Sequence, residues 1–292
     1  MFLLPPGGLM LDSFLHYGYR FLLLPLLQAG VFLLPFLLGG LVVRFIKNRI
    51  DGILLDHFGR VPYFFFAAIG TPVHEVSHLA TSFLFNHRIR KFSLFSPDRN
   101  GRLGYVEHAF DPKSWYQRTG CFFIGLAPVA GGAAALYLLT RLFFPDFSFG
   151  TPFPVMFTGL DKIHDAGRLL LFFSSAGSAM KGQAHSFGLL LMRGNWHVAV
   201  YFILVVAVGS HMFPSPSDFE GMVPGLFLLY ALLCLTNGFM VLRGSGLEGL
   251  LQTLAAAAGA GFNLLLFLIL VLSPCLLALW LFRAAKYLLL RR

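Results

Sequence analysis

Between Gly70 and Leu79 the chain reads Gly-Thr-Pro-Val-His-Glu-Val-Ser-His-Leu, so that His74, Glu75 and His78 form a His-Glu-x-x-His motif. On a helix, residues four apart share one face about 6 Å from each other, and two neutral imidazoles can reach one tetrahedral ion such as zinc. Glu75 lies one step round the helix. It is placed to take a proton from a water activated by the ion and to pass it to a leaving amine. A glutamate and two histidines within an apolar stretch are costly to keep there, which favours a functional reading.

A catalytic zinc keeps three protein ligands and one open position, so a third ligand is required. The preferred candidate is Asp218, in Pro214-Ser215-Pro216-Ser217-Asp218-Phe219-Glu220-Gly221, where prolines break a helix and an anionic oxygen is offered. His211 and Glu220 are nearby rivals. His108, His164 and His185 lie in polar connections, where a solvated or capping histidine is the ordinary explanation.

These residues need elements to hold them, and the composition says what kind. Of the 292 residues, 57% are hydrophobic and only 12% charged, with a mean hydropathy of +0.74. A soluble domain carries about a quarter charged residues. This chain cannot cover a water-facing surface, which excludes a soluble enzyme, a disordered protein and a fibrous one. Lys and Arg number 22 against 13 acids, a net charge of +9. The positives flank apolar runs, so headgroups and the positive-inside rule explain them, and nucleic acid is not an expected partner. Cys121, Cys234 and Cys275 lie far apart in apolar runs and do not suggest a disulfide framework.

The expected fold is an all-α polytopic membrane protein of about six transmembrane helices, with a membrane-associated β-hairpin after the second. The apolar runs predict spans at Phe21 to Ile46, Val61 to Phe85, Thr119 to Phe144, Trp196 to Phe213, Val223 to Leu242 and Gly261 to Phe282. Alternation from Ile89 to Val106 around Asn100-Gly101 predicts the hairpin. Leu169 to Ala179 reads as an amphipathic or re-entrant helix, with a seventh span as the alternative. The dense clusters Arg88/Arg90/Lys91 and Arg283/Lys286/Arg291/Arg292 favour the hairpin side as cytoplasmic, whereas Arg44, Lys47, Arg49 and Arg60 fall on the other side. The organisation expected is an N-terminal interfacial segment and first span (1–60), a core holding the motif, hairpin and Asp218 (61–222), and a two-span region (223–292).

In this arrangement the chain resembles the site-2 protease family of intramembrane zinc metalloproteases. His74, Glu75 and His78 match that family's first motif. Ile89 to Val106 stands where its hairpin follows. Gly125-Leu126-Ala127-Pro128-Val129-Ala130-Gly131 is similar to its Gly-Pro element, and Pro214 to Asp218 stands where its proline-rich stretch and metal-binding aspartate lie. The resemblance implies a zinc site of His74, His78 and Asp218, with Glu75 as general base and then acid. It also implies substrate or oxyanion contacts from Pro128 and His211. The implied substrate is a transmembrane or membrane-adjacent protein, and the implied setting is a multi-pass position in a bilayer of the bacterial inner-membrane type. Two asparagines of the family pattern are replaced, by Gly131 and at Ser210-His211. That departure motivates the alternative of a catalytically inactive zinc-binding membrane protein acting through partner binding. The oligomeric state is not written in the sequence.

Overall fold

The computed structural model describes residues 24–98, 101–147, 166–192, 194–242 and 248–290. Within them the chain forms α1 (Leu24–His57), α2 (Arg60–Leu84), β1 (Arg88–Ser93), β2 (Tyr105–Ala109), α3 (Trp115–Phe143), α4 (Ala166–Met192), α5 (Trp196–His211), α6 (Pro216–Leu242) and α7 (Glu248–Leu290). Three of these helices contain stretches long and apolar enough to cross a membrane, at Trp115–Phe143, Pro216–Phe239 and Gly259–Leu289. They are compatible with membrane insertion. Two other expected spans fall short of that standard among the described residues: α2 carries the polar His-Glu-x-x-His residues, and α5 is apolar but has only 16 residues. Helix α1 continues past Ile46 through Arg49, Asp51 and Asp56.

Helices α2 and α3 are antiparallel neighbours joined through the hairpin. The Phe85 and Phe123 rings stack 5.2 Å apart near the hairpin end, and further along Gly131 lies against Ser77. Helix α5 crosses α2 where Gly70 meets Ala207 and His211. Helix α6 packs antiparallel on α3, with Gly125 opposite Asp218 and Met222 and Gly225 opposite Phe122. Helices α1 and α7 run side by side in parallel, Gly39 against Leu265 and Phe58 against Phe282. The core between these pairs is filled by Leu136, Tyr201, Val205, Phe267, Leu268 and Leu272. The Tyr201 hydroxyl in this core is satisfied by Thr140 Oγ1 at 2.8 Å. Much of the outer surface is apolar, with Leu142, Phe227 and Leu235 each more than 70% exposed. Apolar exposure on this scale marks a surface made for something other than water.

Helix α4 is longer than the short amphipathic segment expected. It reaches Met192, buries Phe187 and Leu190 in the core, and ties to α7 through Gln183 Nε2 donating to the Asn263 carbonyl at 2.9 Å. Helix α6 starts at Pro216, seven residues before the expected Val223, and α7 runs unbroken through the alanine-glycine stretch to Leu290.

The hairpin forms where alternation placed it. Strands β1 and β2 pair antiparallel with Arg88 opposite Ala109 and Ser93 opposite Tyr105, and a bulge falls between Ile89 and Lys91. The connection is longer than a two-residue turn. Ser96 N–H donates to the Leu103 carbonyl and Asp98 N–H to that of Arg102, while Gly101 takes a positive φ of 83°. Asn100 lies outside the described residues.

A histidine pair anchors the hairpin to the helices. His87 Nε2 donates to the Gln117 carbonyl at 2.8 Å, which leaves His87 Nδ1 to accept from His108 Nδ1 at 2.9 Å. This pattern requires the His87 ring to be neutral, since its Nδ1 accepts. Burial, then the neighbouring His87, holds the His108 imidazole down at about 4, and burial lowers His87 as well. Below the ordinary histidine value of about 6.5 the unfolded chain takes up protons that this folded pair refuses, so stability falls as pH drops from about 6.5 toward 4. The detergent-solubilised protein should melt at a lower temperature at pH 5 than at pH 7, and the difference should shrink when His87 and His108 are both replaced by asparagine. An equal drop in that double variant would clear the pair of responsibility.

Candidate metal centre

The site is assembled from one turn of α2 and the first turn of α6. His74 and His78 share a face of α2, as their spacing demands. Their Nε2 atoms lie 3.1 Å apart, His78 Nε2 lies 3.2 Å from Asp218 Oδ1, and His74 Nε2 lies 3.6 Å from Asp218 Oδ2. The three ligand atoms fall within 4.8 Å of one another. Donors at zinc–nitrogen and zinc–oxygen distances of about 2.0–2.2 Å stand roughly 3.3 Å apart on a tetrahedron, so the separations bracket what one ion needs.

Hydrogen bonds behind the rings decide which nitrogens face inward. His74 Nδ1 lies 2.7 Å from the His211 carbonyl, and His78 Nδ1 lies 2.8 Å from the Ile124 carbonyl. A carbonyl only accepts, so both Nδ1 atoms donate, and both neutral rings present a bare Nε2 lone pair. Two lone pairs and a carboxylate thus converge on one point. Like partial charges at such distances repel unless a cation lies between them, and a metal ion satisfies all three acceptors at once. His74, His78 and Asp218 could therefore hold a metal ion, and the donor set of two imidazoles and one carboxylate suits a borderline-soft divalent metal.

Asp218 is held by local chemistry at the start of α6. Ser215 stands just before Pro216, the first helical residue, and Asp218 is three residues on. Ser215 N–H donates to Asp218 Oδ2 at 2.6 Å, Ser215 Oγ donates to the same oxygen at 2.7 Å, and Asp218 N–H returns a bond to Ser215 Oγ at 3.3 Å. This reciprocal capping box satisfies the orphan amides of the helix end and aims the other carboxylate oxygen at His78. Helix α6 can approach so closely because residue 125 is glycine. A Cβ there would lie 2.1 Å from Met222 Cγ and 2.7 Å from the Asp218 carbonyl oxygen, so any side chain would push the carboxylate away.

Glu75 is 7% exposed and lines the same cavity of about 880 Å³ as the two histidines and Asp218. The cavity is also bordered by the hairpin at Gly104, Tyr105 and Val106 and by Arg44 and Lys47 of α1. The hairpin is seated directly on the acid. A Cβ on Gly104 would come within 2.8 Å of Glu75 Cγ and 2.9 Å of the Leu94 and Ser93 carbonyls.

The remaining candidates fall elsewhere. His211 borders the cavity, but its Nδ1 donates to the Ala207 carbonyl at 2.9 Å and its Nε2 is buried without a hydrogen-bond partner. It supplies a backbone oxygen to His74 and no ring nitrogen to the ligand group. Pro128 is buried within α3 and is not among the residues lining the cavity. His108 borders the cavity but is engaged with His87, while Glu220 and His185 are exposed and outside the ligand group. His164 lies outside the described residues. Sequence reasoning missed Ser215 as the residue that holds Asp218, although Ser-Pro-Ser-Asp carries the spacing of a helix-capping box. It also missed Arg44 and Lys47, which sit on the cavity side of α1.

No family model matches the chain, and neither the curated proteins nor the solved structures contain a match.

Proposed function

We propose that the chain is an intramembrane zinc metalloprotease that hydrolyses peptide bonds of transmembrane or membrane-adjacent protein substrates, with the segment 61–222 as its core in a six-span bundle. The observation that carries this reading is the convergence of two Nε2 lone pairs and a carboxylate beside a buried glutamate in one cavity. His74, His78 and Asp218 would hold the ion. Zinc, when bound, acidifies a water to a pKa of roughly 7 and polarises the scissile carbonyl.

The chain's own residues do the rest. Glu75 takes a proton from the attacking water as its oxygen bonds to the carbonyl carbon, and returns that proton to the amide nitrogen as the carbon–nitrogen bond breaks. The cavity is bordered by β2 rather than β1, and in the two-stranded sheet β2 pairs with β1 on one side only. An extended substrate can add to the other side of β2 by main-chain hydrogen bonds, which would lay its backbone across the site. Apolar helices around the cavity limit bulk water to what the polar lining admits.

The rival, an inactive zinc protein, favours a closed set of four ligands. The grouping of three protein ligands, with the His211 ring turned to Ala207, supports an open position instead. The purified full-length chain should carry zinc at one ion per molecule and should cleave transmembrane peptides reconstituted with it in proteoliposomes. Stripping the ion with a chelator should stop cleavage, and zinc should restore it. Zinc at unit stoichiometry with no cleavage of any membrane peptide would favour the rival, and absence of zinc would defeat both.

A further inference from the structure

Each metal-site imidazole is held from behind by a backbone carbonyl, and those two carbonyls are not ordinary ones. In an α-helix the carbonyl of residue i is taken by the amide of residue i+4. The Ile124 carbonyl would be taken by the amide of residue 128, but residue 128 is proline and has no N–H. That oxygen is instead 2.8 Å from His78 Nδ1. The His211 carbonyl closes α5, where the last carbonyls of a helix have no amide four residues on to take them. That oxygen is instead 2.7 Å from His74 Nδ1. Each ring is thus paired with a carbonyl of a neighbouring helix that no helical amide takes.

We propose that Pro128 is a positioning residue for the metal centre, acting by withholding an amide so that the Ile124 carbonyl is reserved for His78. The inference rests on the metalloprotease reading only for its use; its physical content concerns one hydrogen bond. With Nδ1–H fixed on Ile124, the His78 ring keeps the tautomer that turns a bare Nε2 toward His74 and Asp218. An amide at position 128 would compete for the same oxygen. His78 would then lose the bond that orients it, and its proton could move to Nε2, where it blocks the ion. This gives Pro128 a part distinct from a substrate contact, in keeping with its burial away from the cavity lining.

Pro128→Ala and Pro128→Gly both restore the amide with little added bulk. In the detergent-solubilised full chain, each should weaken zinc binding about 10–100-fold, the range for loss of a bond behind a metal-site histidine, as read by competition with a chromophoric chelator. In the metal-free, ¹⁵N-histidine-labelled chain, long-range correlation spectra should show His78 shifting from Nδ1–H toward Nε2–H. Pro274→Ala restores an amide in α7, remote from the cavity, and should leave zinc affinity unchanged. Wild-type affinity and an unchanged His78 tautomer in both Pro128 variants would overturn the inference while leaving the metalloprotease reading intact. Equal losses in the Pro128 and Pro274 variants would also overturn it, since helix distortion would then suffice. Failure of the unaltered chain to bind zinc would overturn the metalloprotease reading itself, and the tautomer spectra would still decide the role of Pro128.

Discussion

Exchanging Glu75 for glutamine should slow peptide hydrolysis by about 10²–10⁴-fold with the metal content unchanged. Glutamine keeps the length and nearly the shape of glutamate, so the Gly104 backbone can still seat against the side chain. What it loses is the ability to accept a proton. The candidate ligand atoms belong to His74, His78 and Asp218, and none of them is altered. The informative comparison is therefore of two measurements on one preparation, zinc per chain and turnover of a reconstituted transmembrane peptide. Full turnover in the glutamine variant would remove Glu75 from the reaction. Loss of zinc would show instead that Glu75 holds the centre together.

Replacing Asp218 by alanine should do the opposite and empty the site. Two imidazoles without the carboxylate leave an incomplete set, so the fall in affinity should exceed the about 10–100-fold typical of changes behind the ligands. Alanine also strips the cap from α6, since Ser215 N–H and Oγ both donate to this carboxylate. Loss of such a cap costs about 0.5–2 kcal/mol, so a lower melting temperature should accompany the lost metal. Asparagine separates the two effects. It can accept from Ser215 and preserve the cap, yet it lacks the negative charge the ion needs. An asparagine variant with a normal melting temperature and no bound zinc would assign the carboxylate to the ion. Zinc retained at full stoichiometry by both variants would exclude Asp218 as a ligand.

The legible parts of this protein are those written in side chains close together in sequence. His74, Glu75 and His78 occupy one helical turn, so their shared face follows from spacing alone. The hairpin followed from alternation between Ile89 and Val106. Asp218 could be singled out by its chemistry, but its support could not, because Ser215-Pro216 was read as a break between helices when it is the opening of one. The extent of α1 was hidden for a related reason. Hydropathy stops at Ile46, whereas the helix continues through Lys47 and Asp51, which pair with each other one turn apart. Least legible of all were the Ile124 and His211 carbonyls. A backbone oxygen has no residue type, and its availability depends on which amide is missing four positions later.

The metal group draws on two stretches separated by nearly half the chain. An ion gripping both would close a large covalent ring, and the entropy of drawing such distant ends together has to be met by helix docking before any coordination can repay it. The motif in α2 is made early in synthesis, while its third ligand arrives only when α6 has been produced and seated on α3. Any metallation would accordingly come late in assembly, and a product ending short of Pro216 would carry an intact His-Glu-x-x-His sequence without the third candidate ligand.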